Sequence, residues 1–216
     1  MLPVSDLKKY AYTEIKRRII SCEYAPGSLL KEQFLSDELN ISRTPIREAL
    51  NRIEHDGLIR IMPKKGIFVQ EVTMADISQI YQARSLLEPF VVLTAGPVLS
   101  KEKLKEILRL CTEEVDDDKG VVLSRIDTEL HLYLVDNCDN RYIIDTMHKI
   151  WENNTRIQFY TNNRTRFSSA REEHVSLLSN LIEGDFEAAA HIMREHIENC
   201  RNCTFEYLLK WSGYPR

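Results

Sequence analysis

Leu39-Asn40-Ile41-Ser42-Arg43-Thr44-Pro45-Ile46-Arg47-Glu48-Ala49-Leu50 sets two helices on either side of a tight turn. A short helical pattern from about Lys31 to Leu39 ends at Asn40, and a second helix begins only a few residues later at Ser42. Ser42 is placed to cap that second helix, and Pro45 falls within its first turn, where a missing N–H costs nothing. From there Ile46, Ala49, Leu50 and Ile53 form one apolar face, closed by Asp56-Gly57.

Outward from this pair, Leu7, Ala11, Ile15 and Ile19 recur at helical spacing and stop before the turn residues Tyr24-Ala25-Pro26-Gly27. On the other side, apolar segments Leu58 to Met62 and Ile67 to Val69 flank Pro63-Lys64-Lys65-Gly66, which predicts a β-hairpin. Three helices, a tight turn between the second and third, and a hairpin match a helix-turn-helix followed by a wing. On the third helix Arg47 and Asn51 lie about 100° or more from the apolar face, and Arg43 sits at its exposed N-terminal end. Arginine suits bidentate bonding to guanine, and a helix N-terminus carrying Ser42 and Thr44 can hold a phosphate. Any one of these residues reads as an ordinary solvated surface group. Together with the turn and the basic wing residues Lys64 and Lys65, they point to double-stranded DNA.

Charge agrees with this division. Residues 1–72 hold 12 Lys and Arg against 10 Asp and Glu, whereas residues 73–216 hold 17 against 23. Only the first part leans basic, although the whole 216-residue chain carries a net charge of −4. Hydrophobic residues at 43%, charged residues at 29% and only 7 Gly and 7 Pro exclude collagen-like and disordered classes. The longest uncharged apolar stretch, Pro89 to Ser100, is far too short to cross a bilayer, and no signal-peptide pattern follows the N-terminus; a cytoplasmic protein is expected, with no membrane partner. Five irregularly spaced cysteines suit free thiols better than a disulfide framework.

Beyond Val72 the pattern is helical throughout. A long helix is expected from about Thr73, with Asp76 three residues on, to about Ala95. Others follow near 100–115, 121–137, 141–163, 169–183 and 185–210, separated by Gly96-Pro97, Gly120, Asp139-Asn140, Ser168 and Gly184-Asp185. The expected fold is therefore mainly α: a winged helix-turn-helix domain over 1–72 and an all-α helical bundle over 73–216.

Three histidines of the bundle lie on or beside apolar stripes. His174 shares a face with Leu177, Leu178 and Leu181, and His196 shares one with Ala189, Ile192, Met193 and Cys200. His131 borders Leu123, Ile126, Leu130 and Leu134, with Asp127 four residues before it on the same side. A single buried histidine usually bonds to a carbonyl. Three of them, with a carboxylate, projecting inward from three helices are what a divalent metal site requires. Arg84 stands in the middle of the apolar face made by Ile77, Ile80, Tyr81, Leu87 and Val91, and a buried guanidinium needs an anion. Glu88 at i+4 and the carboxylate of a bound effector are the two candidates. Asn154, beside Met147, Ile150, Trp151 and Ile157, is a second pocket candidate. Asp116-Asp117-Asp118 reads as a helix cap or a solvated end, His148 and His191 fall off the ligand faces, and Cys200 with Cys203 lacks the second pair that a zinc or redox motif needs.

The run Ala25-Pro26-Gly27-Ser28-Leu29-Leu30, the stretch 39–50, Glu54-His55-Asp56-Gly57-Leu58 and Gly66-Ile67-Phe68-Val69 together resemble the winged helix-turn-helix of GntR-type transcriptional regulators. That resemblance implies that Arg43 and Arg47 read bases and that Gly66 is the wing tip in the minor groove; Gln33 stands where some relatives carry a further DNA-contacting arginine. The bundle resembles the FCD effector domain, whose metal-binding members carry Asp and His four apart plus two later histidines, here Asp127, His131, His174 and His196. Six helices resemble the VanR-type subgroup.

The expectation is a metabolite-responsive regulator that binds a palindromic operator as a homodimer. A small organic acid would reach the open positions of a divalent Zn, Ni, Mn or Fe ion and the Arg84 guanidinium. The alternatives are a metal-dependent enzyme, disfavoured because no general base stands beside the ligands, and a DNA-binding regulator whose metal is purely structural.

Overall fold

The computed structural model describes residues 4–113, 121–161 and 165–211. The chain divides into two compact units, Met1–Thr73 and Met74–Arg216.

In the first unit α1 (Val4–Ile20) is followed by β1 (Leu29–Leu30), α2 (Glu32–Leu39), α3 (Arg43–His55), β2 (Ile59–Met62) and β3 (Gly66–Val69). The helix pair forms as the sequence predicts. Asn40 adopts a left-handed backbone (φ 53°), and its N–H and that of Ile41 donate to the carbonyls of Asp37 and Ser36, which closes α2 within two residues. Ser42 sits at the N-cap of α3 in an extended conformation, but its side chain makes no capping bond. The apolar faces meet in one core: Ala11, Ile15 and Ile19 of α1, Leu35 of α2, and Ile46, Leu50 and Ile53 of α3, closed below by Leu58, Ile59, Ile67 and Val69. The third helix is also tied to the sheet by polar bonds, since Glu54 Oε1 accepts from the Ile61 N–H at 2.6 Å.

Two details differ from expectation. Leu29–Leu30 forms a third strand, so the sheet runs β1-β3-β2, all antiparallel. Two residues carry no periodicity of their own; they become a strand only because β3 offers them a paired edge. The wing tip is Pro63-Lys64-Lys65 rather than Gly66: the Lys65 N–H donates to the Met62 carbonyl at 3.0 Å, Lys64 takes φ 64°, and Gly66 already pairs with Met62. Gly66 has φ 120°, and a Cβ there would lie 2.4 Å from Leu29 Cδ1.

The second unit contains α4 (Met74–Ala95), a 3₁₀ turn (Gly96–Val98), α5 (Lys101–Thr112), α6 (Val121–Asp136), α7 (Arg141–Thr161), α8 (Thr165–Glu183) and α9 (Phe186–Trp211). Side-chain caps fix several starts. Ser100 Oγ accepts from the Lys103 N–H, Asn140 Oδ1 from the N–H groups of Tyr142 and Ile143, and Asp185 Oδ1 from that of Ala188. Ser168, expected to separate two helices, instead lies inside α8. Asp116-Asp117-Asp118, Gly120 and the side chain of Leu123 lie outside the described residues. Helix α9 packs along α4 and α8, α5 packs on α8, and α7 on α4 and α6. No described helix is long and apolar enough to cross a membrane, and the cysteines are free thiols.

Because only glycine adopts the Gly66 backbone without strain, Gly66→Ala is expected to destabilise the first unit by about 1 kcal/mol or more. Hydrogen exchange of the full chain should then quicken at the β3 amides and stay unchanged in α5. Unchanged protection of β3 would show that the glycine is dispensable.

Candidate functional site

Helix α6 presents Asp127 and His131 one turn apart, α8 presents His174, and α9 presents His196, all at or below 5% exposure. One donor atom from each lies within 4.8 Å of every other. Asp127 Oδ1 is 3.3 Å from His174 Nε2 and 3.7 Å from His131 Nε2. The three imidazoles pack with ring centroids 4.5 to 5.5 Å apart. The four residues picked from helical periodicity therefore converge on one point. His148 and His191 do not join them: both are exposed and lie beside Asp136 and Glu195.

Three members of this tetrad are buttressed from outside it. His131 Nδ1 meets Glu88 Oε2 at 2.5 Å, His196 Nδ1 meets Glu173 Oε2 at 2.7 Å, and Gln158 Nε2 donates to Asp127 Oδ2 at 3.2 Å. A carboxylate accepting from Nδ1–H leaves Nε2 as the lone-pair nitrogen and fixes the ring's direction. Accordingly, His131 Nε2 is wholly buried and has no hydrogen-bond partner among the described residues. Such an atom is costly unless something accepts its lone pair, and a cation would do so. Burial, with His174 beside it, pushes the pKa of His196 down to about 3, so the ring stays neutral as a metal ligand must.

Arg84 takes the nearer of its two candidate anions. Its Nε donates to Glu88 Oε1 at 2.7 Å and its Nη1 to Asn154 Oδ1 at 2.9 Å, while the guanidinium lies 4.4 Å from the Trp151 ring. Burial would raise the Glu88 pKa, but the Arg84 charge and the hydrogen bonds from Arg84 and His131 overcome this and hold the carboxyl well below its usual range. Glu88 thus joins Arg84 to His131. Asn154 Nδ2 and Trp151 Nε1 are buried donors without a partner among the described residues.

The sequence named Glu88 only as a partner for Arg84 and missed Glu173 and Gln158. Glu173 adjoins His174 in the chain yet serves His196 on another helix, and no local pattern signals that pairing.

The second surface is exposed. Ser42, Arg43, Thr44, Arg47 and Asn51 all lie on the outer side of α3 or at its start, and Lys64 and Lys65 are exposed at the wing tip, with Gly66 half-buried behind them. Arg47 Nε donates to Glu32 Oε2 at 2.7 Å, and Arg43 bonds to Gln33 Oε1. Residues of α2 thus hold both arginines beside the N-terminus of α3. With a side-chain exposure of 62%, Arg47 is free to exchange this surface pair for another anion.

Comparison with known proteins places both surfaces in context. Residues 7–69 match the bacterial regulatory proteins of the gntR family, and residues 79–199 match the FCD domain. The chain is 23% identical over 205 residues to the HTH-type transcriptional repressor RspR of Escherichia coli (strain K12), covering 91% of this chain and 88% of that protein. It is 27% identical over 207 residues to the Nta operon transcriptional regulator of Aminobacter aminovorans, covering 91% and 98%. Among solved structures, E. coli McbR/YncC matches with a TM-score of 0.79 at 20% identity, over 96% of this chain and 100% of that one. The Zn2+-bound FCD domain of TM0439 matches with a TM-score of 0.53 at 25% identity, over 62% and 94%.

Glu173→Ala removes the acceptor of His196 Nδ1 without touching a metal donor, so metal affinity is expected to fall about 10- to 100-fold. His174→Ala should lose the ion outright. Elemental analysis and chelator competition distinguish the two, and equal metal content in wild type and His174→Ala would remove His174 from the site.

Proposed function

The chain belongs to the GntR family of bacterial regulatory proteins, its second unit an FCD domain, and on that premise we propose that it binds operator DNA as a dimer and responds to a small carboxylate at a divalent metal. The observation that carries this reading is the buried tetrad Asp127, His131, His174 and His196, whose donors lie within 4.8 Å of one another while His131 Nε2 lacks a partner among the described residues. Zn2+ occupies the related FCD domain of TM0439, and it suits three imidazoles and a carboxylate; Ni, Mn and Fe accept the same donors.

The bound metal would supply a positive charge and open positions for oxygen donors. Around it the protein's own groups select the ligand. Asn154 Nδ2 and Trp151 Nε1 offer two buried N–H donors to the oxygens of a small acid. Arg84, spent on Glu88, adds its field from behind rather than a direct bond. The enzyme alternative has little support: Glu88 and Glu173 are each engaged with a ligand histidine, so neither stands ready to accept a proton from water.

On the DNA side, Arg43 and Arg47 are placed to read bases in a major groove, with Ser42, Thr44 and Asn51 on the same surface and the wing lysines Lys64 and Lys65 beside phosphates. We place dimerisation in the second unit, where Leu86 and Phe90 lie exposed one turn apart on α4. A two-fold dimer then matches a palindromic operator.

Two outcomes follow. Arg47→Ala is expected to weaken operator binding by about 1 to 3 kcal/mol and to relax sequence preference, whereas Lys65→Ala should weaken all sequences alike and flatten the salt dependence by about one charge. Titrations on operator and scrambled duplexes at several salt concentrations separate them; unchanged discrimination by Arg47→Ala would sink the base-reading role. The effector, in turn, can shift DNA affinity only by its differential affinity for the two states, typically about 5- to 150-fold, and operator DNA must change effector affinity by the same factor. Calorimetry with and without operator duplex measures it. Identical affinities would leave a regulator whose metal is purely structural.

A further inference from the structure

Gln33 lies on α2 beside Arg43, and both ends of its amide are taken. Its Nε2 donates to Asp37 Oδ1 at 2.6 Å, one turn further along the same helix. Its Oε1 accepts from Arg43 Nη2. The first bond decides the second: with the amino group drawn to Asp37, the carbonyl oxygen is left to face Arg43. Asp37, Gln33 and Arg43 thus form one chain of hydrogen bonds that runs from α2 to the start of α3.

We propose that Gln33 and Asp37 are positioning residues for DNA reading: they act through Arg43, hold its guanidinium in the direction from which it meets a base, and so set sequence preference without touching a base themselves. The inference rests on the base-reading role given to Arg43 above. Arg43 is exposed at the first residue of α3, and ordering a long, flexible side chain on binding costs affinity unless it is ordered beforehand. A guanidinium has five N–H donors in a rigid fork, so giving one to Gln33 leaves a complete two-donor edge for guanine O6 and N7. The acceptor is also neutral. Arg47 pairs with a carboxylate, that of Glu32, whereas the Gln33 amide steers Arg43 without cancelling the charge that phosphates attract.

The competing account is that Gln33 reads a base itself, since glutamine suits the N6 and N7 of adenine. That contact uses both ends of the amide, and here each end already has a partner.

Selection by the full-length protein from a library of duplexes with randomised palindromic half-sites gives the preference at every base position and separates the two accounts. Arg43→Ala is expected to lose the preference at one position of each half-site. Gln33→Ala and Asp37→Ala should weaken preference at that same position by about 2- to 10-fold, the cost of ordering one long side chain on binding, and should add nothing in the Arg43→Ala background. Asp37 supplies the sharpest readout. Removing an acidic group near DNA by charge alone strengthens binding to every sequence, and Asp37→Asn, which keeps an acceptor for Gln33, should do so with wild-type preference. Asp37→Ala should strengthen binding likewise yet discriminate less. Preference lost at a position other than that of Arg43, or a further loss in the Arg43→Ala background, would show that Gln33 reads its own base. Wild-type preference in both Gln33→Ala and Asp37→Ala would overturn the proposal while leaving Arg43 as a reader. If Arg43→Ala itself kept every preference, its base-reading role would fail, and the positioning role with it.

Discussion

Glu88 is the residue on which the second unit turns. It is buried with Arg84 on one side and His131 on the other, at 2.7 and 2.5 Å. Neither the carboxylate nor the guanidinium could be buried alone, since an isolated charge in the interior costs several kcal/mol. Each makes the other tolerable, and the pair then imposes a direction on His131. A buried ion pair of this kind adds little net stability, because desolvation offsets attraction. What it provides is a fixed imidazole: with Nδ1 held by Glu88, the Nε2 lone pair must face Asp127, His174 and His196.

The same device recurs with a different helix pair. Glu173 on α8 holds His196 on α9, and Gln158 on α7 holds Asp127 on α6. Every helix from α6 to α9, and α4 through Glu88, therefore contributes either a donor or its support. A metal held at their common point would tie these helices together, and its binding free energy would then also stabilise the bundle.

The two surfaces work by opposite electrostatics. On α3 the arginines are exposed, weakly paired with Glu32 and Gln33, and screened by solvent. Around the buried tetrad the charged groups are few and engaged with one another, Arg84 with Glu88 and Glu173 with His196.

The helix-turn-helix, the hairpin, the six-helix pattern and the inward-facing set Asp127, His131, His174 and His196 are legible in the chain alone. Each is a local signal: a turn residue such as Asn40, or the recurrence of a polar group on an apolar stripe, is set within one helix by its period of 3.6 residues. The remaining features depend on how the elements pack. Leu29–Leu30 becomes a strand through the edge of β3. Arg84 meets Glu88 on its own helix and Asn154 on α7. Glu173 serves the histidine of another helix instead of the one beside it in the chain. Periodicity fixes which face of a helix a side chain occupies, but not which residue of a neighbouring helix it meets, because that depends on the axial register and rotation at which two helices pack, and these are set by the whole core.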